Sequence, residues 1–456
     1  MLHLFGLRPS RRLTRRQFLR HCGVASSALT LSPFFLERMT SVCKAAAGLT
    51  RVYKVRNGDC FQNIAKLWEM LDGPAKYIGT TDVVVIKGNA QWPNQGYTHT
   101  GCIKAVIDQV LQIPGFSGEV LLCDNIQAGN GLGAGTSGFD ATPGNRTNNW
   151  PDKNWTQLVA DYASQGKPVG LVQWVTDTTW RTPVLPLPSW SSWDPAGGTG
   201  WSRCFLNCNG RNTYLSSPVF ESPLNKGRMI DLQNGVWEGG SYTGRKVKAI
   251  FMPTLNNHGS GEEDYAGITS AVKSFFGSTE IYHDSSHGDD TVWNSYYSIH
   301  SSSFTQHSAQ AAGQLVGAYL KNLYAPALYI TAAMFSGWNS RISSTGAAAT
   351  NTVLACENPV SLDYIAGRDV ISKVGSPPPA FLDPSTQDNH TWQQLAGCNS
   401  QGIGTLGPQQ MDVITFDFVH PTATRLDIER KIRDFKAGKA TEQDVKDVIQ
   451  IYMSNG

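Results

Sequence analysis

The chain has 456 residues, of which 40 % are hydrophobic, and this is enough apolar material for a large buried core. Its formal net charge is +2, but residues 1–47 hold eight Lys or Arg and one acid, so the remainder carries about −5. A mildly acidic remainder argues against nucleic acid as a partner, because phosphate binding needs clustered basic side chains.

The first residues are typical of an export signal. The segment TRRQFLR at 14–20 contains an arginine pair and precedes a moderately apolar stretch, and KAAAG at 44–48 has the small residues that a signal peptidase cleaves. Together they predict a twin-arginine signal over 1–47, export by the twin-arginine machinery, and a periplasmic or secreted protein. The apolar stretch is short and rich in serine, so we expect no transmembrane anchor in the mature chain. An ordinary secretory leader or an N-terminal anchor is the alternative.

From residue 48 onward, the hydrophobic pattern alternates between the periods of strands and helices. An apolar run within 82–89 predicts a buried strand, a helical apolar period at 100–113 predicts a helix, and 118–125 reads as the next strand. The further predicted elements are a helix and a strand over 154–174, a strand at 245–255, helices at 265–277 and 308–324, strands at 327–335 and 350–358, and a helix at 359–371. This order predicts an α/β fold with a layered, mostly parallel sheet and helices on both faces.

Two segments differ from this pattern. Residues 178–222 are rich in Pro, Ser and Trp, which predicts an ordered excursion, because flexible linkers avoid tryptophan. Residues 424–456 are highly charged, and 440–453 has the pattern of a capped amphipathic helix, so we expect a helical appendage. The predicted organisation is a leader (1–47), an α/β domain with the excursion (48–423) and the appendage (424–456).

Seven cysteines follow the leader. No C-x-x-C-x-x-C run occurs among them, so an iron–sulfur cluster of the ferredoxin type is not expected. Cys204 and Cys208 fall in a loop-like stretch, where an oxidising compartment would permit a local disulfide. The other five lie in apolar segments, and we expect them to be small buried side chains.

Three motifs follow one another in the chain: VVVIKGN…YTHTGCIKAVIDQVL, IFMPTLNNH…ITSAVKSFFG and VLACENPVSLDYIAG. In this order they resemble a bacterial and archaeal family that is catalogued as domain of unknown function number three-six-two. The resemblance covers most of residues 80–370, and it implies a fold but no reaction. The positions that match the family's pattern are Lys87, Asn89, Thr98, Pro253, His258, Lys273, Gly277, Pro359, Val360 and Asp363.

The chain departs from the family's pattern at several positions. Asn256 stands where a lysine is usual, Thr331 where an aspartate is frequent, and Asn358 where the last motif begins with aspartate. Many relatives also carry iron–sulfur modules, and this sequence has no such module.

Ligands of open α/β sheets bind beyond the carboxyl ends of the strands. Lys87 and Asn89 follow one predicted strand and His258 lies in the loop after another, so these three are the candidate catalytic residues. A buried lysine can clamp an anionic group or act as a base, and a histidine can act as a general base or a metal ligand. The resemblance adds three candidate ligand-binding residues, which are Thr98, Lys273 and Asp363.

Simpler roles are open for some of these residues. His258 could form a hydrogen bond that fixes its loop, and Lys273 could be a solvated helix lysine. Glu357 and Asn358 also follow a predicted strand, and parallel strands would bring most of the polar strand-end groups to one edge of the sheet.

A second constellation lies in IYHDSSHGDDT, residues 281–291. His283 and His287 are four residues apart, with Asp284 and Asp289 alongside. Imidazole and carboxylate groups suit zinc, iron or manganese, so this segment is the candidate site for a divalent transition metal. A solvated polar loop is the alternative, which the serine and glycine residues of the segment favour.

Two hypotheses of function follow. In the first, the exported protein binds or acts on a small anionic or metal-bound ligand in a cleft at the strand ends. In the second, a non-catalytic periplasmic binding or assembly protein uses the Trp-rich excursion to hold a glycan or a partner, because tryptophan faces stack on flat ligands. The sequence lacks a G-x-S-x-G elbow, a P-loop lysine and a G-x-G-x-x-G opening of the first helix, so serine hydrolysis and nucleotide binding have little support.

Overall fold

The structure of the chain is a computed structural model. The chain divides into two compact units, Met1–Leu49 and Thr50–Gly456. Of the first unit only residues 48 and 49 are described, so the predicted leader lies outside the described residues. The described residues are 48–90, 92, 94–125, 138–141, 153–175, 199–208, 211–257, 267–279, 292–294, 309–338, 347–374, 378–418 and 425–454.

Strands and helices alternate along the described chain up to residue 175, as the hydrophobic pattern predicts, but between residues 200 and 269 the described elements are all strands. The strands are β1 (Thr50–Arg56), β2 (Val83–Lys87), β3 (Glu119–Asn125), β4 (Val169–Val175), β5 (Gly200–Cys208), β6 (Arg211–Glu221), β7 (Met229–Asp231), β8 (Gly235–Glu238), β9 (Ser241–Tyr242), β10 (Val247–Phe251), β11 (Thr254–Asn257), β12 (Ile268–Thr269), β13 (Val292–Asn294), β14 (Leu328–Gly337), β15 (Ala347–Cys356) and β16 (Met411–Asp417). The α-helices are α1 (Cys60–Met70), α2 (Thr100–Leu111), α3 (Trp155–Ser164), α4 (Ala271–Ser274), α5 (Ala309–Asn322), α6 (Pro359–Asp369), α7 (His390–Ser400), α8 (Arg425–Lys436) and α9 (Glu442–Ser454).

One large mixed sheet, in which parallel pairs predominate, forms the centre of the fold. Its central strands follow the order β14-β10-β2-β3-β4, and all of these pairs are parallel. Beyond β14 lie β15, β1 and β16, and β15 runs antiparallel to both β14 and β1. The predicted layered α/β fold with a mostly parallel sheet is therefore confirmed.

Helices cover both faces of the central strands. Along β2, Val83 and Val85 belong to one hydrophobic cluster, and Val84 and Ile86 belong to the other, as the two-residue period of a strand requires. The first cluster includes apolar side chains of α5, α6 and α7, and the second includes those of α1, α2 and α3. Because β2 is buried on both faces, its residues Val83–Ile86 form an apolar run, and Lys87 follows as the charged last residue of the strand.

The direction in which the chain winds reverses between β2 and β10. After β2 the chain passes through α2 to β3 on one side, and after β10 it passes through α4 and α5 to β14 on the other side. Adjacent parallel strands whose connections leave in opposite directions form a topological switch point, and a crevice opens beyond their carboxyl ends. The carboxyl ends of β2 and β10 therefore mark where a ligand site is expected in this fold.

The Trp-rich excursion contributes to a second sheet. Strands β5 to β9 and β13 form this sheet, in which β5 and β6 are an antiparallel pair. The ordered region thus extends past the predicted limit at residue 222, to the end of β9. Trp201 is 2 % exposed and packs in the same hydrophobic cluster as α5. Residues 178–198 of the predicted excursion lie outside the described residues.

The cysteines divide into two groups. Cys204 and Cys208 both lie in β5, not in a loop. Four residues of extended chain span about 13 Å, which exceeds the Cα separation of about 7 Å that a disulfide can bridge, so the predicted local disulfide is wrong. The other five cysteines after the leader are buried free thiols, as expected, and they are Cys60, Cys102, Cys123, Cys356 and Cys398.

The segment predicted as one helix over 265–277 has a different structure. Its described part contains β12, the four-residue helix α4 and a short 3-10 turn at Phe275–Gly277. Strand pairing of β12 with β11 occupies the backbone at Ile268 and Thr269, so a helix cannot begin before that point. Tertiary pairing thus outweighs the helical apolar period of this segment.

The predicted amphipathic helix near the C-terminus corresponds to α9, and α8 packs against it. No helix within the described part of the chain is long and apolar enough to cross a membrane.

Candidate functional site

Lys87, the last residue of β2, lies at the switch point and is fully buried. Its Nζ atom lies 3.1 Å from Oδ1 of Asp124 and donates a 3.1 Å hydrogen bond to Oγ of Ser274. Asp124 follows Cys123, the β3 residue that pairs with Lys87, so parallel pairing brings the two charged side chains to the same edge. The predicted strand-end lysine is therefore an ion-pair partner.

The two carboxylate oxygens of Asp124 have different neighbours. Its Oδ2 atom accepts a 2.7 Å hydrogen bond from the backbone N–H of Ala90, while Oδ1 faces Lys87. Gly277 packs directly on this pair, because a Cβ atom there would lie 2.6 Å from Nζ of Lys87 and 2.8 Å from Oδ1 of Asp124. The glycine that ends the second sequence motif is thus required by the close approach of its backbone to the ion pair.

Burial lowers the pKa of the Lys87 ammonium and raises the pKa of the Asp124 carboxyl, because each charged form loses its hydration. The attraction between the two charges opposes both shifts. The pair as a whole is neutral, so Lys87 does not provide a free positive charge to the edge. Shifts that bring two pKa values towards each other also favour proton exchange between the two groups.

Asn89 and Thr98 bridge a break in the neighbouring strand. The predicted strand at 245–255 is interrupted at Pro253, which has no N–H to continue the ladder, and β10 and β11 lie on either side of it. Thr98 donates a 2.8 Å hydrogen bond to the backbone oxygen of Met252, and Asn89 accepts a 3.2 Å hydrogen bond from the N–H of Thr254. Both candidate residues thus lie at the β2–β10 switch point, where they satisfy the interrupted backbone.

The segment before α2 lies against β11. Its Gln95 backbone oxygen accepts hydrogen bonds from Oγ1 of Thr254 at 2.8 Å and from Nδ2 of Asn256 at 2.6 Å. His99 caps α2, because its Nδ1 accepts a 3.3 Å hydrogen bond from the N–H of Cys102. Burial lowers the pKa of His99 to about 4, so this imidazole is neutral at pH 7.

Asp363 lies in α6, where it anchors the N-terminus of α4. It accepts hydrogen bonds of 2.8 Å from the backbone N–H groups of Ala271 and Val272. Burial raises the pKa of Asp363 to about 7, against the opposing effect of these donors and of Ser270. Because α4 ends at Ser274, the residue that contacts Lys87, Asp363 is connected to the ion pair through the helix it holds.

Lys273 and Thr331 lie beside this anchor. Lys273 is a partly buried residue of α4. Thr331 is a buried residue of β14, and its hydroxyl forms a 3.0 Å hydrogen bond with the hydroxyl of Ser270. At the position where the family pattern often has aspartate, this chain therefore uses a neutral hydroxyl pair.

Glu357 and Asn358 lie at the opposite edge of the sheet. They follow β15, which is antiparallel to β14, so its carboxyl end is at the amino edge of the parallel strands. Glu357 accepts a 3.1 Å hydrogen bond from the Tyr77 hydroxyl, and Asn358 caps α6 by accepting one of 3.1 Å from the N–H of Ser361. The expectation that these two residues join Lys87 is wrong, because sequence periodicity does not reveal strand direction.

The remaining candidates lie outside the described residues. His258 is one of them, and the predicted metal ligands His283, His287, Asp284 and Asp289 are the others. Within the described residues, no group of three or more His, Cys, Asp or Glu side chains could hold a metal ion.

Sequence reasoning missed two residues that complete the edge. Asp124 and Asn125 end the predicted strand at 118–125, and the rule that selected Lys87 and Asn89 would also have selected them. Asn125 donates a 2.7 Å hydrogen bond from Nδ2 to the backbone oxygen of Thr279. The segment from Ser274 to Thr279 thus passes over the carboxyl ends of both β2 and β3.

Comparison of the chain with protein-family models, with curated proteins and with solved structures found no match. The resemblance to the family of unknown function therefore depends on the three sequence motifs. The geometry of the switch point is the independent basis for a ligand site.

Proposed function

We propose that the carboxyl edge around the β2–β10 switch point binds a small ligand, with the Lys87–Asp124 pair as its polar centre. The observation that carries the proposal is this fully buried ion pair at the carboxyl ends of two adjacent parallel strands. Removing two charges from water costs several kcal/mol per ion, and apolar side chains of similar size would often pack there at least as well. A costly polar pair at the place where α/β sheets bind ligands therefore supports a functional role.

The Lys87–Asp124 pair is also suited to proton transfer, so the proposal includes catalysis as well as binding. Lys87 and Asp124 exchange a proton most readily when their pKa values approach each other, as burial makes them do. Ser274 is within hydrogen-bonding distance of Lys87 and belongs to the same network. In this scheme a ligand with an anionic or polar group competes with Asp124 for the ammonium, and the released carboxylate accepts a proton from an O–H or N–H group of the ligand, whose conjugate base the Lys87 ammonium stabilises.

Export is the second part of the proposal, and the leader sequence supports it. Arg15→Lys/Arg16→Lys replaces the arginine pair and conserves its charge, so it tests for the twin-arginine route specifically. We expect the unaltered chain in the periplasmic fraction and the variant in the cytoplasm. Equal export of the two chains would point to an ordinary secretory leader.

The Trp-rich excursion has less support as a binding surface. Trp201, the described tryptophan of that segment, is 2 % exposed and contributes to the core, so it presents no stacking face. Trp180, Trp190 and Trp193 lie outside the described residues.

A thermal-shift screen of the purified mature protein tests the ligand site. The probes are inorganic phosphate, sulfate, acetate, citrate, D-glucose and myo-inositol, each at millimolar concentration. Stabilisation by a probe should be lost in Lys87→Met/Asp124→Asn, which removes both charges together and leaves no unpaired buried ion. The matched control is Lys54→Met, which breaks another strand lysine–aspartate pair, Lys54–Asp369. Stabilisation that persists in the double variant would contradict the proposal.

A further inference from the structure

Asparagine occurs at the carboxyl ends of several strands at this edge. Asn89 follows β2, Asn125 ends β3, and β11 ends with Asn256 and Asn257. Carboxamides carry no charge, and each has one accepting oxygen and one donating nitrogen. The edge is therefore lined by neutral hydrogen-bonding groups around an ion pair that is itself neutral.

Asn125 and Thr279 form the part of this lining that adjoins the ion pair. Nδ2 of Asn125 is used in the hydrogen bond to Thr279, but Oδ1 of Asn125 and Oγ1 of Thr279 have no hydrogen-bond partner among the described residues. Both side chains are at least 98 % buried. The two residues are joined by a hydrogen bond, and each still has one side-chain oxygen whose hydrogen-bonding capacity is unused.

Asn256 and Asn257, at the end of β11, also have side-chain atoms without a hydrogen-bond partner among the described residues. Nδ2 of Asn256 bonds to Gln95, but its Oδ1, and both Oδ1 and Nδ2 of Asn257, have no partner within the described chain. Each of these side chains is 1 % exposed. An unsatisfied buried polar atom costs about 1–3 kcal/mol, and native proteins contain few of them. Five such atoms lie at the ends of β3 and β11 or on the segment that crosses β3, and a bound molecule with matching groups would satisfy them.

The chemistry of the five atoms indicates the class of that molecule. Three are carboxamide oxygens, one is a hydroxyl and one is an amide nitrogen, so acceptors predominate. Lys87 is matched by Asp124, which leaves no net positive charge for an anion, and Nδ2 of Asn257, which can only donate, does not suit a cation. A ligand hydroxyl fits best, because it donates to a carboxamide oxygen and accepts from Thr279.

We infer that the ligand of this edge is a neutral polyhydroxy compound of carbohydrate type, and this inference rests on the proposed ligand site. One hydroxyl of the ligand donates to Oδ1 of Asn125 and accepts from Oγ1 of Thr279. Further hydroxyls bond to the carboxamides of Asn256 and Asn257. The ligand thereby satisfies the atoms that the chain leaves unpaired at the ends of β3 and β11.

Isothermal titration calorimetry tests the inference with D-glucose, D-galactose, N-acetyl-D-glucosamine and myo-inositol, and with phosphate and citrate as the anionic probes. Thr279→Val removes the hydroxyl and conserves the shape of the side chain, and Thr279→Ser restores the hydroxyl. The matched control is Ser217→Ala, because Ser217 has another buried hydroxyl without a described partner, in β6 of the second sheet. Removing an unpaired hydroxyl should leave the unliganded protein at least as stable as before, so the variants should fold.

We expect at least one neutral probe to bind, and Thr279→Val to weaken it about tenfold, the equivalent of one hydrogen bond. Thr279→Ser and Ser217→Ala should bind as the unaltered protein does. Polyol binding that Thr279→Val does not change would overturn the inference. Binding of phosphate or citrate alone, lost in Lys87→Met/Asp124→Asn, would overturn the inference and leave the ligand site standing. Binding of no probe at all would overturn both.

Discussion

The Nζ atom of Lys87 lies 3.1 Å from Oδ1 of Asp124, and the two side chains are 0 % and 2 % exposed. Parallel pairing of β2 with β3 makes this contact possible, because it places the carboxyl ends of two successive strands of the chain side by side. The pair is the centre of a polar network that includes Ser274 directly and Asp363 through α4.

Replacing one partner of the pair should be far more damaging than replacing both. Lys87→Met leaves the Asp124 carboxylate buried without its counter-ion and should lower the free energy of unfolding by about 3–5 kcal/mol. Lys87→Met/Asp124→Asn removes both charges, so its loss should be clearly smaller than that of Lys87→Met. Urea denaturation of the three proteins measures both quantities. A double variant less stable than Lys87→Met would show that the two side chains do not act as a pair.

Gly277→Ala should destabilise the fold by about 1–3 kcal/mol, because its new methyl group would overlap Nζ of Lys87 and Oδ1 of Asp124. In a Lys87→Ala background the same substitution should cost less, since the truncated side chain vacates the space. The difference is a coupling energy, which a double-mutant cycle of unfolding free energies measures directly. Equal costs in the two backgrounds would mean that the glycine is needed for another reason.

Asp363 should make the protein less stable as the pH rises from about 4 to about 7. Burial raises its pKa to about 7 in the folded state, while an unfolded aspartate has a pKa of about 4. Between these values the folded carboxyl retains a proton that the unfolded one has lost. Stability from this group is therefore complete below about pH 4 and declines by up to about 1.4 kcal/mol per pH unit above it.

The control for this pH dependence is the variant Asp363→Asn, whose side chain cannot ionise. The unfolding free energy of the unaltered protein minus that of the variant should fall between pH 4 and pH 7. A difference that rises with pH would mean that the N–H donors of Ala271 and Val272 outweigh burial.

Asp369 should show the opposite dependence on pH. Burial raises its pKa, but hydrogen bonds and charge from Arg368 and Lys54 outweigh this effect and place the pKa below its usual value. The stability from this carboxylate is present above the unfolded pKa of about 4 and is lost as the pH falls through the lower folded value. Asp369→Asn should therefore cost about 1–3 kcal/mol at pH 7 and much less at pH 3. Urea denaturation of the unaltered protein and of Asp369→Asn at pH 7 and at pH 3 measures this loss of unfolding free energy. An equal loss at both pH values would refute the prediction.

The metal hypothesis concerns His283 and His287 and depends on sequence alone. It predicts about one zinc, iron or manganese ion per chain when the protein is expressed with its own leader and purified from the periplasm. His283→Ala/His287→Ala should lose this metal, as measured by inductively coupled plasma mass spectrometry. Absence of metal from both proteins would remove this site.

The sequence predicted the central strands and helices because their signals are local. The apolar run of β2 and the helical period of α2 each depend on neighbouring residues, and both elements lie within two residues of the predicted bounds. The helix α1 was missed, although Asp59 and Gln62 form the capping box that marks its start. The strand-end rule placed Lys87 and Asn89 at the carboxyl end of a strand for the same local reason, and the strand order that makes this end a switch point came from the structure.

The sequence by itself determined the α/β class and the position of Lys87 at the end of a buried strand. Only the tertiary structure decided which groups meet there. Asp124 reaches Lys87 through parallel pairing, and Asp363 reaches α4 from 91 to 92 residues away along the chain. The tertiary structure also decided the direction of β15, which is antiparallel to β14 and therefore places Glu357 at the amino edge of the parallel strands. Such partnerships arise from packing between distant segments, and residue periodicity contains no information about them.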